Sequence, residues 1–163
     1  MAVNSQSARV ILPTDEQILI TREFNAPKEL VYKAWTTPDL VKRWWSAKRG
    51  ETTVAEIDLR VGGRWRYAMV TEDGTEVAFH GEYQEVVSNE RIVSTEVYEG
   101  IPNGEANATL NTATFEDVEG RTILALLVEA PSKEVRNMIV ASGMEDGLQD
   151  ALDLLEEAAI SLH

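Results

Sequence analysis

From Glu51 to Glu129 the hydrophobic residues recur with a period of two, in six runs separated only by short turn sequences. That period places alternate side chains on opposite faces of a strand. The runs cover 51–59, 64–70, 77–87, 91–99, 106–116 and 121–129. Between them stand Val61-Gly62-Gly63, Glu72-Asp73-Gly74-Thr75, Ser88-Asn89-Glu90, Gly100-Ile101-Pro102-Asn103-Gly104 and Asp117–Gly120. Strands joined by so few residues must be antiparallel neighbours. An earlier run, EQILITREF (Glu16–Phe24), makes a seventh strand. A seven-strand sheet has one large apolar face that another layer must cover.

Helical spacing supplies that layer. After Asn25-Ala26, Pro27 suits the first residue of a helix whose Leu30, Val31, Ala34 and Trp35 recur at helical intervals. Thr37-Pro38 restarts the pattern, with Thr37 as N-cap. Leu40, Val41, Trp44 and Trp45 then share one helix face, with Lys42 and Arg43 on the other. Pro131-Ser132 opens a helix to Ser142, and Gly143 suits its end. Ser142-Gly143-Met144-Glu145 has the form of a capping box for the last helix. There Met144, Leu148, Ala151, Leu152, Leu155, Ala159 and Leu162 form an apolar face, opposite an acidic one without lysine or arginine. The last helix is the only element long enough to cover the sheet. A curved sheet around a single helix closes poorly near the helix's start, so a cavity is expected there, with the two short helices as its lid.

The 163 residues suit a single domain, 16–163, preceded by a loose lead-in at 1–15 with room for an extended piece at Arg9–Leu12. There is no cysteine, which removes disulfides, thiolate catalysis and Cys-based metal sites. The start, MAVNSQSARVILP, reads as no signal peptide, and no apolar run reaches the roughly 18–20 residues of a membrane span. A cytoplasmic protein, monomer or homodimer, is expected. A net charge of −13 repels phosphate backbones and argues against nucleic acid. One segment, 42–66, departs from this: Lys42, Arg43, Lys48, Arg49, Arg60, Arg64 and Arg66 outnumber Glu51, Glu56 and Asp58. It reads either as a solvated face or as a collar around a pocket mouth.

The runs ITREFNAPKELVYKAWTTPDLVKRWW, DLRVGGRWRY, FHGEYQEVVSNERIV and GMEDGLQDALDLLEE together resemble the START-like helix-grip superfamily (SRPBCC). Within it they resemble the bacterial homologues of the activator of the heat-shock protein 90 ATPase. The resemblance covers roughly Glu16 to Leu162. It implies an α+β helix-grip fold of order β-α-α-β6-α, with a curved antiparallel sheet around a long C-terminal helix. It also implies a deep pocket between sheet and helix, a place in a chaperone-linked stress-response family, and no shared catalytic residue.

The residues offer three functions. The first is binding of a small hydrophobic molecule, without cofactor or metal. Its expected wall is Trp44, Trp45, Trp65, Tyr67, Met69, His80, Tyr98, Met138, Met144 and Leu148, since aromatic and methionine side chains make adaptable apolar surfaces. Within the Trp pair, Trp45 is assigned to core and Trp44 to cavity. Arg64 and Arg66 fall on the strand face opposite Trp65, which leaves Tyr67, Tyr98 or His80 as polar anchors. The second is an enzyme of cyclase or aromatase type, with His80, made more basic by Glu82, and a pocket tyrosine as proton handlers. In the bland alternative His80 and Glu82 face solvent. The third is a co-chaperone domain contacting its partner through the 42–66 patch. Gly81 is expected to let the sheet bend, and Gly147 to let the last helix approach it.

Overall fold

The computed structural model describes residues 7–163. Its eight strands are β1 (Arg9–Ile11), β2 (Gln17–Phe24), β3 (Gly50–Ile57), β4 (Arg64–Thr71), β5 (Glu76–Val87), β6 (Arg91–Tyr98), β7 (Thr109–Val118) and β8 (Arg121–Glu129). They form one antiparallel sheet in the order β1-β2-β8-β7-β6-β5-β4-β3. The helices are α1 (Lys28–Thr36), α2 (Pro38–Trp44), α3 (Lys133–Ala141) and α4 (Met144–Ile160). This is the α+β helix-grip architecture, with one strand more than the seven expected. The addition is β1, which pairs with β2 from Arg9↔Thr21 to Ile11↔Leu19, so part of the expected lead-in belongs to the sheet. Residues 1–6 of that lead-in lie outside the described residues.

The helix boundaries follow local chemistry, with two corrections. Thr37 is the N-cap of α2 and Pro38 its first residue, while Pro27 stands one place earlier than expected, as the N-cap of α1. Ser132 caps α3 by accepting a hydrogen bond from the Val135 amide at 3.2 Å. Ser142 forms no capping box: its hydroxyl donates back to the Ile139 carbonyl at 2.6 Å. Gly143, at φ 83°, is the N-cap of α4 instead. A left-handed corner is inexpensive for glycine, and it turns the chain between two helices without a linker.

The core lies between α1, α4 and the strands β2, β8 and β7. Ile18, Ile20, Phe24, Leu124, Phe115 and Ala113 project from the sheet and are buried. Leu152, Leu155, Ala158 and Ala159 meet them from the last turns of α4. Arg22 is buried among them. Its guanidinium lies 5.0 Å from the Phe24 ring centroid and reaches Asp153 at 2.7 Å and Glu156 at 3.4 Å. These ion pairs tie the middle of β2 to the acidic side of α4.

Candidate functional site

The tryptophan pair divides, in the opposite sense to the expectation. Trp44 is buried: it stacks on Trp35 at 5.3 Å and donates its indole N–H to the Ala34 carbonyl at 2.9 Å. Trp35 in turn meets Phe115 edge-on at 5.9 Å. Trp44 therefore locks α2 to α1 and the core. Trp45, one helical step on, points at the inner face of β4 and β5. It meets Tyr67 at 5.5 Å and Phe79 at 5.9 Å, both edge-on, and stays only half-buried.

Strand pairing builds the rest of the inner wall. Ile57↔Trp65, Ala55↔Tyr67 and Tyr67↔Phe79 set those side chains on one face. A bulge between Thr52 and Val54 shifts the phase of β3, so the buried Thr52, and not Thr53, faces inward beside Met69. Trp65 and Tyr67 lie 4.9 Å apart. The Trp65 indole crosses Gly81 to donate to the Thr95 carbonyl at 3.2 Å. A Cβ at Gly81 would lie 1.8 Å from that carbonyl oxygen and 2.6 Å from the indole nitrogen. Glycine is required there for close approach.

The first half of α4 faces this wall. Met144, Gly147 and Leu148 are half-buried, whereas Leu152 and Leu155, one to two turns on, are sealed. Gly147 does permit a close approach, but to the Arg49 side chain and not to the sheet. An added Cβ would meet the guanidinium carbon at 2.7 Å, and Arg49 donates to the Gly143 carbonyl at 3.0 Å. The α2–β3 turn is thereby pinned to the start of α4.

Other expected wall residues fall elsewhere. Met138 is 59% exposed on the outside of α3. Tyr98 pairs with Phe79, ring on ring at 5.1 Å, but stands at the rim, 39% exposed. His80 pairs with Arg66 on the outer face of the sheet, opposite to Tyr67. Its partner is Glu99, with Nδ1 2.8 Å from Oε2, and not Glu82. Arg66 grips the same carboxylate at 2.9 and 3.0 Å. Arg66 first, then His80, holds the Glu99 pKa down at about 2. Because successive side chains of a strand point to opposite faces, His80 and an inner tyrosine cannot act on one ligand.

One inner residue had no signal in the local pattern. Glu96 of β6 faces the concave side, where the Asn111 amide donates to its Oε1 at 2.8 Å and the Thr109 hydroxyl donates to Asn111 at 3.0 Å. Burial pushes the Glu96 pKa up, against the Asn111 bond. It also pushes the Tyr67 phenol well up, with smaller contributions from Tyr83 and Glu96. Three polar groups thus converge on an aromatic wall. The signal that finds Glu96 is a strand register. β6 stays in step with β7, and Ile92↔Ala113, Ser94↔Asn111 and Glu96↔Thr109 set Glu96 on the face of the buried Ile92 and Ala113. The irregularity between Tyr83 and Glu85 adds its extra residue to β5, which brings Phe79, Gly81 and Tyr83 onto that same inner face.

On the outside, a depression of about 540 Å3 lies between Lys48, Arg49 and the Thr71–Thr75 turn. Another, of about 370 Å3, is lined by Arg66, His80 and Glu99 together with Glu56, Arg64, Gly81 and an edge of Trp65. Neither includes Trp45, Tyr67 or Leu148. Four of the seven basic side chains of 42–66 have separate partners: Arg60 bonds Asp58, Arg66 bonds Glu99, Arg43 bonds Ser161 and Arg49 bonds Gly143. No described helix is long and apolar enough to cross a membrane.

Solved structures share this arrangement. A protein from Rhodobacter sphaeroides superposes with a TM-score of 0.88 over 96% of this chain and 99% of its own, at 23% identity. One from Mycobacterium smegmatis gives 0.82 over 93% and 95%, at 24% identity. The AHSA1-like protein from Aeromonas hydrophila gives 0.67 over 88% and 93%, also at 24%. At these identities the likeness shows the fold. No functionally curated protein matches the chain. The profile described as "Activator of Hsp90 ATPase homolog 1-like protein" matches residues 25–159, from the start of α1 nearly to the end of α4. The chain belongs to that family.

Proposed function

We propose that the protein binds a small, mainly apolar molecule between the inner wall of β3–β6 and the first half of α4. One observation carries the reading. Trp45, Tyr67, Met69, Phe79, Met144 and Leu148 turn toward the space between the layers yet keep accessible surface, while the other half of the same two layers is sealed. Large apolar side chains left partly wet inside a fold are surface that a ligand can dry. Covering about 200 Å2 of it would contribute roughly 5 kcal/mol before ordering costs, which corresponds to weak binding unless polar groups add to it. Tyr67 and Glu96 are placed to add.

The family's description, activation of the Hsp90 ATPase, supports a second reading as a chaperone partner. The separately committed arginines of 42–66 weigh against that segment as the contact surface.

Native mass spectrometry of freshly purified protein tests the first reading. A retained small molecule is expected, and Leu148→Trp, which fills the space, should lose it without losing the fold. A protein that carries nothing, and whose tryptophan fluorescence does not respond saturably to 1-octanol, would end this reading.

A further inference from the structure

Glu96 is the interior side chain with the least local justification. The pairing of Tyr83 with Ser94 and of Phe79 with Tyr98 puts Gly81 opposite Glu96, and Trp65 pairs with Gly81. One row of the inner wall therefore runs from Trp65 across a residue with no side chain to a carboxyl group. Asn111 occupies Oε1, and Oε2 has no hydrogen-bond partner among the described residues, though it is not sealed from solvent. The buried arginines are each engaged elsewhere, Arg22 with Asp153 and Glu156 and Arg136 with the Thr14 carbonyl at 2.8 Å, and the exposed Arg49 bonds Gly143. A carboxylate in such a wall lacks a counter-charge, and an unpaired charge on apolar surface is costly.

The neighbours point the same way. Trp65, Tyr67, Trp45 and Phe79 form a continuous run of ring contacts, at 4.9, 5.5 and 5.9 Å. Aromatic faces are the negative part of a quadrupole and attract cations, most strongly where water is scarce. The titratable groups sharing the wall with Glu96 are the phenols of Tyr67 and Tyr83, both pushed up by burial and so neutral near pH 7. From the helices, Trp45, Met144 and Leu148 face the wall, while Gly147 faces Arg49 at the rim. The chain's net charge of −13 adds a field that favours cations.

We infer that the interior site takes an apolar amine, its ammonium paired with Glu96 and its hydrocarbon lying against Trp45, Trp65, Tyr67 and Phe79. This deepens the proposed interior binding and rests on it. A carboxylate ligand would face Glu96 with like charge, and an alcohol would gain one hydrogen bond but no ion pair.

The test is a titration, by tryptophan fluorescence, of wild type, Glu96→Gln and Glu82→Gln with octylammonium, 1-octanol and octanoate. Wild type should bind octylammonium at least tenfold more tightly than 1-octanol, with octanoate weakest. Glu96→Gln should bring octylammonium to the level of 1-octanol and leave 1-octanol unchanged. Glu82→Gln removes the same charge from the outer face and should keep the tenfold preference; its loss there would mean a general field effect and overturn the inference. Equal binding of amine and alcohol by wild type, or a preference that survives Glu96→Gln, would also overturn it, leaving interior binding intact. Failure of all three probes to bind would overturn both. Should Glu96→Gln not fold, the wild-type order and its persistence in Glu82→Gln decide.

Discussion

The two halves of the helix–sheet sandwich are built from the same layers and finished differently. In one, β2, β7 and β8 meet α1 and the last turns of α4 through Ile18, Ile20, Phe24, Leu124, Leu152 and Leu155, each fully buried. In the other, β3–β6 meet α2 and the first turns of α4 through Trp45, Tyr67, Met69, Met144 and Leu148, all half-buried. The first sets Phe24 and Phe115 among branched aliphatic and small side chains that interlock and leave little room. The second uses flat rings and flexible thioethers, which touch edge-on and do not tile a curved surface. The polar side chains differ as well. Arg22 in the closed half has two carboxylate partners, while Glu96 in the open half has a neutral one. Side chains are sealed in one half and keep accessible surface in the other.

Truncating leucines along α4 should separate the halves most sharply. Leu155→Ala is expected to cost about 3–5 kcal/mol by urea denaturation, and Leu148→Ala about 1 kcal/mol, because a half-wet side chain leaves no dry void. Equal losses would mean that both halves are packed alike. Gly81→Ala should come next, at roughly 2–3 kcal/mol, since the new methyl collides with the Thr95 backbone, which cannot step aside as a flexible side chain would. A neutral outcome would mean that the Trp65 shelf is not the tight point of the open half.

Two acids then sharpen the contrast by sign. Glu96→Gln should stabilise by an amount on the order of 1 kcal/mol at pH 7.5. The folded-state pKa of Glu96 is raised, so the wild type loses stability as pH climbs from its unfolded value through the folded one. Below the unfolded value both states are protonated, and variant and wild type should coincide at pH 3.5. A destabilised Glu96→Gln at pH 7.5 would contradict this assignment. The outermost effect should be the smallest. Glu99→Gln is expected to cost less than about 1 kcal/mol, because the Arg66 pair is partly exposed and screened. The Glu99 pKa is lowered to about 2, so its contribution is present above its unfolded value and fades as pH falls toward 2. A contribution that persisted at pH 2 would refute the pairing.

Legibility in the sequence followed the range of the interactions. The alternation in RWRYAMV was enough to set Trp65 and Tyr67 against Arg64 and Arg66, and the spacing in PDLVKRWW to set Val41 and Trp44 against Lys42 and Arg43. Both depend on backbone geometry within a few residues. It was not enough to choose between Trp44 and Trp45, because both lie on the inward side of α2, and the choice depends on Trp35 from another helix. Gly147 showed a need for close approach without showing that Arg49, almost a hundred positions earlier, makes the approach.

What the sequence determined by itself, then, was the periodicity: strands, helices, their apolar faces and the antiparallel order that short turns enforce. Only the tertiary structure decided what those faces enclose. An extra residue in β5 after Tyr83 reverses the facing of that strand, and that is how Phe79, Gly81 and Tyr83 come to share the inner face with Glu96 of β6. Local sterics set which side chains share a face, but which face is inside depends on register summed across the sheet, and one extra residue is sufficient to invert it.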